Sequence, residues 1–121
     1  LADATEPPLS GWDGHILLDA PCSGLGVLAR RPDIRRPSRR APADLEQLAG
    51  LQNRLLVRLG GLLRPGRELA SSSCTLNPAE NEQAVSRLLR ARPELALVRE
   101  WQTPHVHLWL EGMYGAVLRR V

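Results

Sequence analysis

Apolar positions in this 121-residue chain follow two different periods, and these predict an alternation of strands and helices. The short apolar run Ile16–Leu18 is typical of a buried parallel strand, and Glu68–Ser73 predicts a second strand. Between them we expect a helix from Asp44, as its N-cap, to about Leu63. Leucines spaced three or four residues apart form its apolar face, at Leu45, Leu48, Leu51, Leu55, Leu59 and Leu62.

The second half of the chain predicts another helix and then short strands. Asn77 suits an N-cap and Pro78 the first helical position, so we expect a helix from there to about Arg92. Strands are predicted after it, the last two as an antiparallel hairpin, at Leu95–Arg99, Val106–Leu110 and Ala116–Val121. This order indicates an α/β fold, with residues 1–121 as the C-terminal half of a doubly wound sheet whose other strands lie upstream.

Composition narrows the class of protein. The sequence is 43% hydrophobic, and its three Trp and one Tyr are the only aromatic residues. All sixteen basic residues are Arg, and the net charge of +3 is compatible with a nucleic-acid partner. With two cysteines, no signal-like N-terminus and no apolar run of the roughly 20 residues that a membrane span needs, we expect a cytoplasmic protein with free thiols and no metal site.

Each of the two cysteines directly follows a predicted strand. If the strands are parallel neighbours joined by a helical crossover, Cys22 and Cys74 emerge at the same edge of the sheet. Asp19 ends the first strand, so an acid and two thiols gather where α/β sheets bind ligands. A helix starting at Pro78 would lower the pKa of the Cys74 thiol. The alternative is that both cysteines are small structural core residues.

Several motifs occur in a specific order: D-A-P-C-S-G at 19–24, R-P-D-I at 31–34, L-Q at 51–52, S-C-T at 73–75, N-P-A-E-N-E at 77–82 and G-M-Y-G-A-V-L at 112–118. Together they resemble the RNA cytosine-5 methyltransferases, and most closely the bacterial 16S rRNA methyltransferase B (Fmu/Sun-type) group. The resemblance covers nearly the whole chain and implies a Rossmann-like class I fold with S-adenosylmethionine as the cofactor. It also implies that residues 1–121 are part of a catalytic domain whose cofactor-binding half lies upstream.

The resemblance also implies a role for particular residues. In that family a thiolate attacks C6 of cytosine, C5 then takes the methyl group, and the thiol is eliminated. This assigns the nucleophile to Cys74 and the release step to Cys22, as a base or as an aid to elimination. Asp19 would bind the cytosine edge or the cofactor, Pro21 would contact the cofactor, and Asp3 matches an acid near the cofactor's adenine.

An arginine-rich loop follows the first cysteine motif. Arginine forms bidentate, charge-assisted bonds to phosphate, so this loop is a candidate for RNA-backbone contacts. The candidate residues are Arg30, Arg31, Arg35 and Arg36. A solvated loop without a ligand is the alternative.

The chain departs from the family pattern in what it lacks. The glycine-rich cofactor loop and an upstream catalytic Lys are absent, and Arg67 stands where the family tends to carry a second glycine. We therefore expect these residues alone to bind the cofactor weakly and not to turn over. A half-sheet also exposes an edge strand, so we expect the chain to dimerise, swap strands or be poorly stable.

Two other functions fit the same residues. A tRNA or DNA cytosine-5 methyltransferase is the nearest, and in the DNA enzymes the cysteine after Pro, here Cys22, is the attacking one. The other is a non-catalytic RNA-binding or ribosome-assembly module on the same fold. The presence of both thiols favours the RNA methyltransferase.

Overall fold

The computed structural model describes residues 2–35, 41–104 and 110–121, which contain four strands and two α-helices. In chain order these are β1 (Ile16–Asp19), α1 (Pro42–Leu62), β2 (Glu68–Ser73), α2 (Glu82–Ala91), β3 (Leu95–Gln102) and β4 (Tyr114–Arg120). Two short 3-10 turns lie between β1 and α1, at Leu25–Val27 and Pro32–Arg35. The predicted α/β order is confirmed.

The four strands form one mixed sheet in the order β1-β2-β4-β3. β1 and β2 are parallel neighbours, with Asp19 opposite Ser72, and α1 lies between them in the chain. β4 runs antiparallel to both β2 and β3. The predicted crossover between two neighbouring parallel strands is therefore confirmed, and it brings the carboxyl ends of β1 and β2 to one edge.

The hydrophobic core joins one face of the sheet to the two helices. Leu69 of β2, Leu118 of β4 and Leu88 of α2 are fully buried in it. On α1 the predicted leucine stripe faces this core, where Leu55 is buried and Leu59 is partly buried. The other sheet face is less well covered. On it, Leu17 of the edge strand β1 is 78% exposed.

The start of α1 differs from the prediction. The helix begins at Pro42 with Ala41 at the N-cap, so the assignment of Asp44 as N-cap is wrong. Pro favours the first helical position because its missing N–H has no intrahelical partner there. Asp44 instead caps from inside the first turn, where its carboxylate accepts the Ala41 N–H at 3.2 Å.

The start of α2 also differs. The helix begins at Glu82, and Asn77 lies in a preceding turn in which its side chain accepts the Ala79 N–H at 3.1 Å. The predicted N-cap at Asn77 is therefore wrong. The reason is that Glu80 and Asn81 are buried and bond inward, which keeps this segment in a turn.

The terminal hairpin has a different first arm. β4 pairs antiparallel with β3, which extends to Gln102 beyond the predicted Leu95–Arg99. A register shift between Leu97 and Arg99 allows this pairing to continue. Of the predicted arm Val106–Leu110, residues 106–109 lie outside the described residues, and Leu110 lies outside the strands.

Candidate active site

The two thiols meet beyond the carboxyl ends of β1 and β2. The Sγ atoms of Cys22 and Cys74 are 3.1 Å apart, and both side chains are partly exposed. A disulfide would bring the sulfurs to about 2.05 Å, so these are two free thiols in contact. The convergence predicted from parallel strand neighbours is confirmed.

The Cys74 thiol is not activated in this chain. Burial, together with the neighbouring Cys22 thiol, raises the pKa of Cys74 to about 12. α2 begins eight residues further on (82 − 74), so the expectation that a helix N-terminus lowers this pKa is wrong. At neutral pH Cys74 is protonated, while the sulfur of Cys22 accepts the Cys74 backbone N–H at 3.3 Å.

Asp19 lies at the mouth of the same site. Its exposed carboxylate accepts one hydrogen bond, from the Ser72 hydroxyl at 3.3 Å, and its charge adds to the raised pKa of Cys74. Pro21 is also exposed, but its carbonyl accepts the Gln52 side-chain N–H at 2.8 Å. Within the segment 19–24, Asp19 and Pro21 are therefore the exposed residues closest in sequence to Cys22.

Asp3 lies at a different place. Its Oδ1 accepts the backbone N–H of Thr5 at 2.8 Å and the Thr5 hydroxyl at 2.7 Å, and these bonds lower the pKa of Asp3. It lines an open, largely apolar cavity of about 500 Å³ together with Trp12 and Ile16. Neither cysteine lines that cavity.

The arginine-rich loop is only partly described. Arg30 pairs with Glu111 at 3.0 Å and Arg31 with Asp33 at 3.1 Å, and both guanidinium groups remain mostly exposed. The backbone of Arg35 ends the second 3-10 turn, and the predicted Arg36 lies outside the described residues. The hydrogen bond to Asp33 and the charge of that carboxylate raise the pKa of Arg31.

A buried polar cluster behind the thiols was not predicted. Glu80 Oε2 accepts the Ser23 hydroxyl at 2.6 Å and the Thr75 hydroxyl at 3.0 Å. A usable signal existed in the sequence, because Ser23 follows Cys22 and Thr75 follows Cys74 at the same offset. Their shared acceptor could not be predicted, because the sequence around Glu80 is typical of an acid in the first turn of a helix.

Two glycines link the cysteine loops through backbone hydrogen bonds. The Gly26 N–H donates to the Cys74 carbonyl at 3.0 Å, and the Gly112 N–H donates to the Gly26 carbonyl at 2.8 Å. A Cβ on Gly26 would lie 1.9 Å from the Gly112 carbonyl oxygen. This close backbone crossing ties the segment before β4 to the site.

Residues 2–35, 41–104 and 110–121 contain neither a metal-ligand set nor a membrane-spanning helix. These ranges hold no group of three or more His, Cys, Asp or Glu side chains that could bind a metal ion. Neither helix in the same ranges combines the length and hydropathy that a membrane crossing requires.

Comparison with known proteins gives consistent matches. Residues 2–112 match the family described as 16S rRNA methyltransferase RsmB/F. A Mycobacterium tuberculosis protein described as a methyltransferase is 40% identical over 92% of this chain and 27% of its own length. The ribosomal RNA small subunit methyltransferase B of Vibrio vulnificus is 37% identical over 96% of this chain and 29% of its own.

Solved structures match as well. The crystal structure of NSun6 from Pyrococcus horikoshii with SFG, an analogue of S-adenosylmethionine, superposes with a TM-score of 0.79 at 31% identity. The match covers 99% of this chain and 33% of that one. The chain thus spans between about a quarter and a third of the length of these relatives.

Proposed function

Since the chain belongs to the 16S rRNA methyltransferase RsmB/F family, we propose that it is the cysteine-bearing part of an S-adenosylmethionine-dependent RNA cytosine-5 methyltransferase acting on 16S rRNA in the cytoplasm. The observation that carries the proposal is the 3.1 Å contact between two thiols at the ends of parallel strands. The proposed reaction forms and then breaks a sulfur–carbon bond. With two thiols in contact, one can form that bond while the other assists its cleavage.

In the proposed reaction Cys74 is the nucleophile. Its Sγ bonds to cytosine C6, its thiol proton passes to the Cys22 sulfur, which has first released its own proton to solvent, and the C5=C6 electron pair moves to C5. S-adenosylmethionine, when bound, supplies the methyl group that C5 takes. After releasing its proton to solvent, Cys22 serves as the base, or as an aid to elimination: the C5 proton leaves, the double bond returns and the Sγ–C6 bond breaks.

Asp19 has the exposure and chemistry for a polar contact at this site. Its carboxylate is a hydrogen-bond acceptor beside the thiols, and both the cytosine amino group and the methionine part of the cofactor present N–H donors. The exposed Pro21 ring offers an apolar contact next to it. Both Thr5 bonds go to Oδ1 of Asp3, so its Oδ2 suits an adenine amino group.

The arginines next to the site have the chemistry to hold the RNA backbone. In the proposed complex Arg30 and Arg31 exchange their exposed pairs with Glu111 and Asp33 for phosphate oxygens. The Arg31–Asp33 pair is exposed on both sides, and such a pair contributes little free energy, so this exchange costs little. Arg35 and Arg36 extend the same basic segment in the sequence.

The test is a chimera in which this chain replaces the matching segment of the Vibrio vulnificus methyltransferase. Purified small-subunit rRNA and S-adenosylmethionine are added, and 5-methylcytosine is counted by mass spectrometry of the digested RNA. We expect the chimera to form 5-methylcytosine, Cys74→Ala to abolish it, and Glu46→Gln, an exposed change on α1, to leave it intact.

Two outcomes contradict the proposal. A folded chimera that binds S-adenosylmethionine but makes no 5-methylcytosine favours the RNA-binding or ribosome-assembly module. If the chimera methylates tRNA or DNA and not rRNA under the same conditions, then tRNA or DNA is the substrate.

A further inference from the structure

A single buried carboxylate connects the two loops that carry the thiols. Glu80 accepts the Ser23 backbone N–H on Oε1 at 2.7 Å and the Ser23 hydroxyl on Oε2 at 2.6 Å. The same Oε2 accepts the Thr75 hydroxyl at 3.0 Å, and the two hydroxyl oxygens are 2.8 Å apart. The exposed fractions are 0% for Ser23, 0% for Thr75 and 4% for Glu80.

The position of this Ser23–Thr75–Glu80 cluster relates it to the sulfurs. Ser23 directly follows Cys22, and Thr75 directly follows Cys74. A carboxylate buried away from water is costly unless donors satisfy it, and here the donors come from both loops. If the loops separated, Glu80 would lose donors from one of them while remaining buried.

The two cysteines lie beyond the paired residues of the sheet. Pairing between β1 and β2 ends at Asp19 and Ser72, three residues before Cys22 and two before Cys74. Contacts outside the ladder therefore set how the two loops lie against each other. Among these contacts, the hydrogen bonds to Glu80 have a charged acceptor, which makes them strong.

We propose that Glu80 is a positioning residue that holds Cys22 and Cys74 in contact through Ser23 and Thr75. It touches neither substrate nor cofactor. Its importance for catalysis rests on the proposed function, because both sulfurs must reach one cytosine. The contact itself is a property of the chain and can be measured without RNA or cofactor.

The readout is the equilibrium between the Cys22–Cys74 dithiol and its disulfide in glutathione buffers. The two thiols lose two protons and two electrons to one glutathione disulfide, which leaves as two reduced glutathione molecules. The equilibrium constant reports the effective concentration of one thiol at the other. These are the only two cysteines in the sequence, so no other pair within the chain competes.

Removing the acceptor should lower this constant. In the 121-residue chain we expect Glu80→Ala to lower it by roughly tenfold or more and Glu80→Gln to lie between Ala and wild type, since a neutral acceptor holds its donors less strongly. Thr75→Val removes one hydroxyl with little change of volume and should also lower it. Glu82→Gln is the matched control, an exposed carboxylate two residues away that should leave the constant unchanged.

The design separates positioning from plain stability. Circular dichroism gives the folded fraction of each variant, and a purely structural role lowers that fraction without moving the constant of folded molecules. If Glu80→Ala does not fold, the equilibrium constants of Thr75→Val and Glu80→Gln test the positioning role instead. An unchanged constant in folded variants overturns the positioning role.

The same variants in the chimera distinguish this inference from the proposed function. We expect Glu80→Gln to lower kcat for methyl transfer and leave the KM for rRNA unchanged. A wild-type chimera without methyl transfer speaks against the proposed function, while the glutathione result still decides the role of Glu80.

Discussion

At the residue scale, the chemistry of the site depends on which sulfur holds the proton. Burial is the main cause of the raised pKa of Cys74, and contact with Cys22 adds to it. The thiolate is the reactive form of cysteine, so a nucleophilic Cys74 must pass its proton on when substrate binds. Cys22, 3.1 Å away, can take that proton once its own has passed to solvent.

Replacing the second thiol tests this coupling. We expect Cys22→Ala to lower the pKa of Cys74 below about 12, because the hydrogen bond and charge of Cys22 both raise it, while burial keeps it above the usual value of 9.0. The rate of iodoacetamide alkylation of Cys74 should then rise at a lower pH than in wild type. Asp19→Asn should shift the profile in the same direction by less, since its contribution is the smallest of those that raise the pKa. An unchanged profile in Cys22→Ala would show that the sulfurs do not interact.

At the element scale, the site depends on where strands stop and loops cross. β1 and β2 end together, and the Gly26–Gly112 backbone crossing fixes the loop after β1 against the segment before β4. Only glycine fits at Gly26, because the atoms that a side chain would meet belong to the backbone of Gly112. The fold thus holds the Cys74 carbonyl through a backbone bond that does not involve Glu80.

A matched pair of glycine substitutions tests this crossing. Gly26→Ala should lower the free energy of unfolding by about 1–3 kcal/mol, because Cβ would lie 1.9 Å from the Gly112 carbonyl oxygen. Gly50→Ala in α1 should raise it by about 0.5–1 kcal/mol, because Ala is the better helix former and no atom comes closer than 3.8 Å. Urea unfolding followed by circular dichroism measures both. If both substitutions changed the free energy of unfolding equally, the backbone crossing would contribute nothing to stability.

The elements also show what the sequence could predict. The meeting of Cys22 and Cys74 was predictable, because a helical crossover between two apolar runs places their ends at one edge. Glu80 was not, because local capping rules assign it to the first turn of a helix, whereas its tertiary bonds to Ser23 and Thr75 hold it in a buried turn. Local patterns identify strands and thiols well, but not a polar contact between residues 57 positions apart.

At the scale of the whole molecule, the sheet presents an edge. β1 is one of the two outer strands of the described sheet, β3 being the other, and Leu17 on β1 is 78% exposed. Edge strands with exposed apolar side chains pair readily with other chains. The expected self-association of this chain therefore has a specific candidate surface.

A charge on that edge should prevent the association. We predict that the chain forms dimers or larger species as its concentration rises, and that Leu17→Lys shifts it to monomer, because a charged edge side chain opposes strand pairing. Val121→Lys is the control, since Val121 is 73% exposed but lies outside the sheet. Sedimentation velocity over a concentration series measures the association state of the wild-type chain and of both variants. A wild-type chain that stays monomeric throughout contradicts the prediction.

Covalent trapping distinguishes the proposed roles of the two thiols, in which Cys74 attacks cytosine and Cys22 releases the product. The chimera is incubated with S-adenosylmethionine and small-subunit rRNA containing 5-fluorocytosine, whose C5 fluorine prevents elimination. We predict an adduct that Cys74→Ala abolishes, and an adduct in Cys22→Ala that accumulates even on unmodified RNA. Loss of the adduct in Cys22→Ala, with Cys74→Ala still trapped, would show that the two roles are reversed.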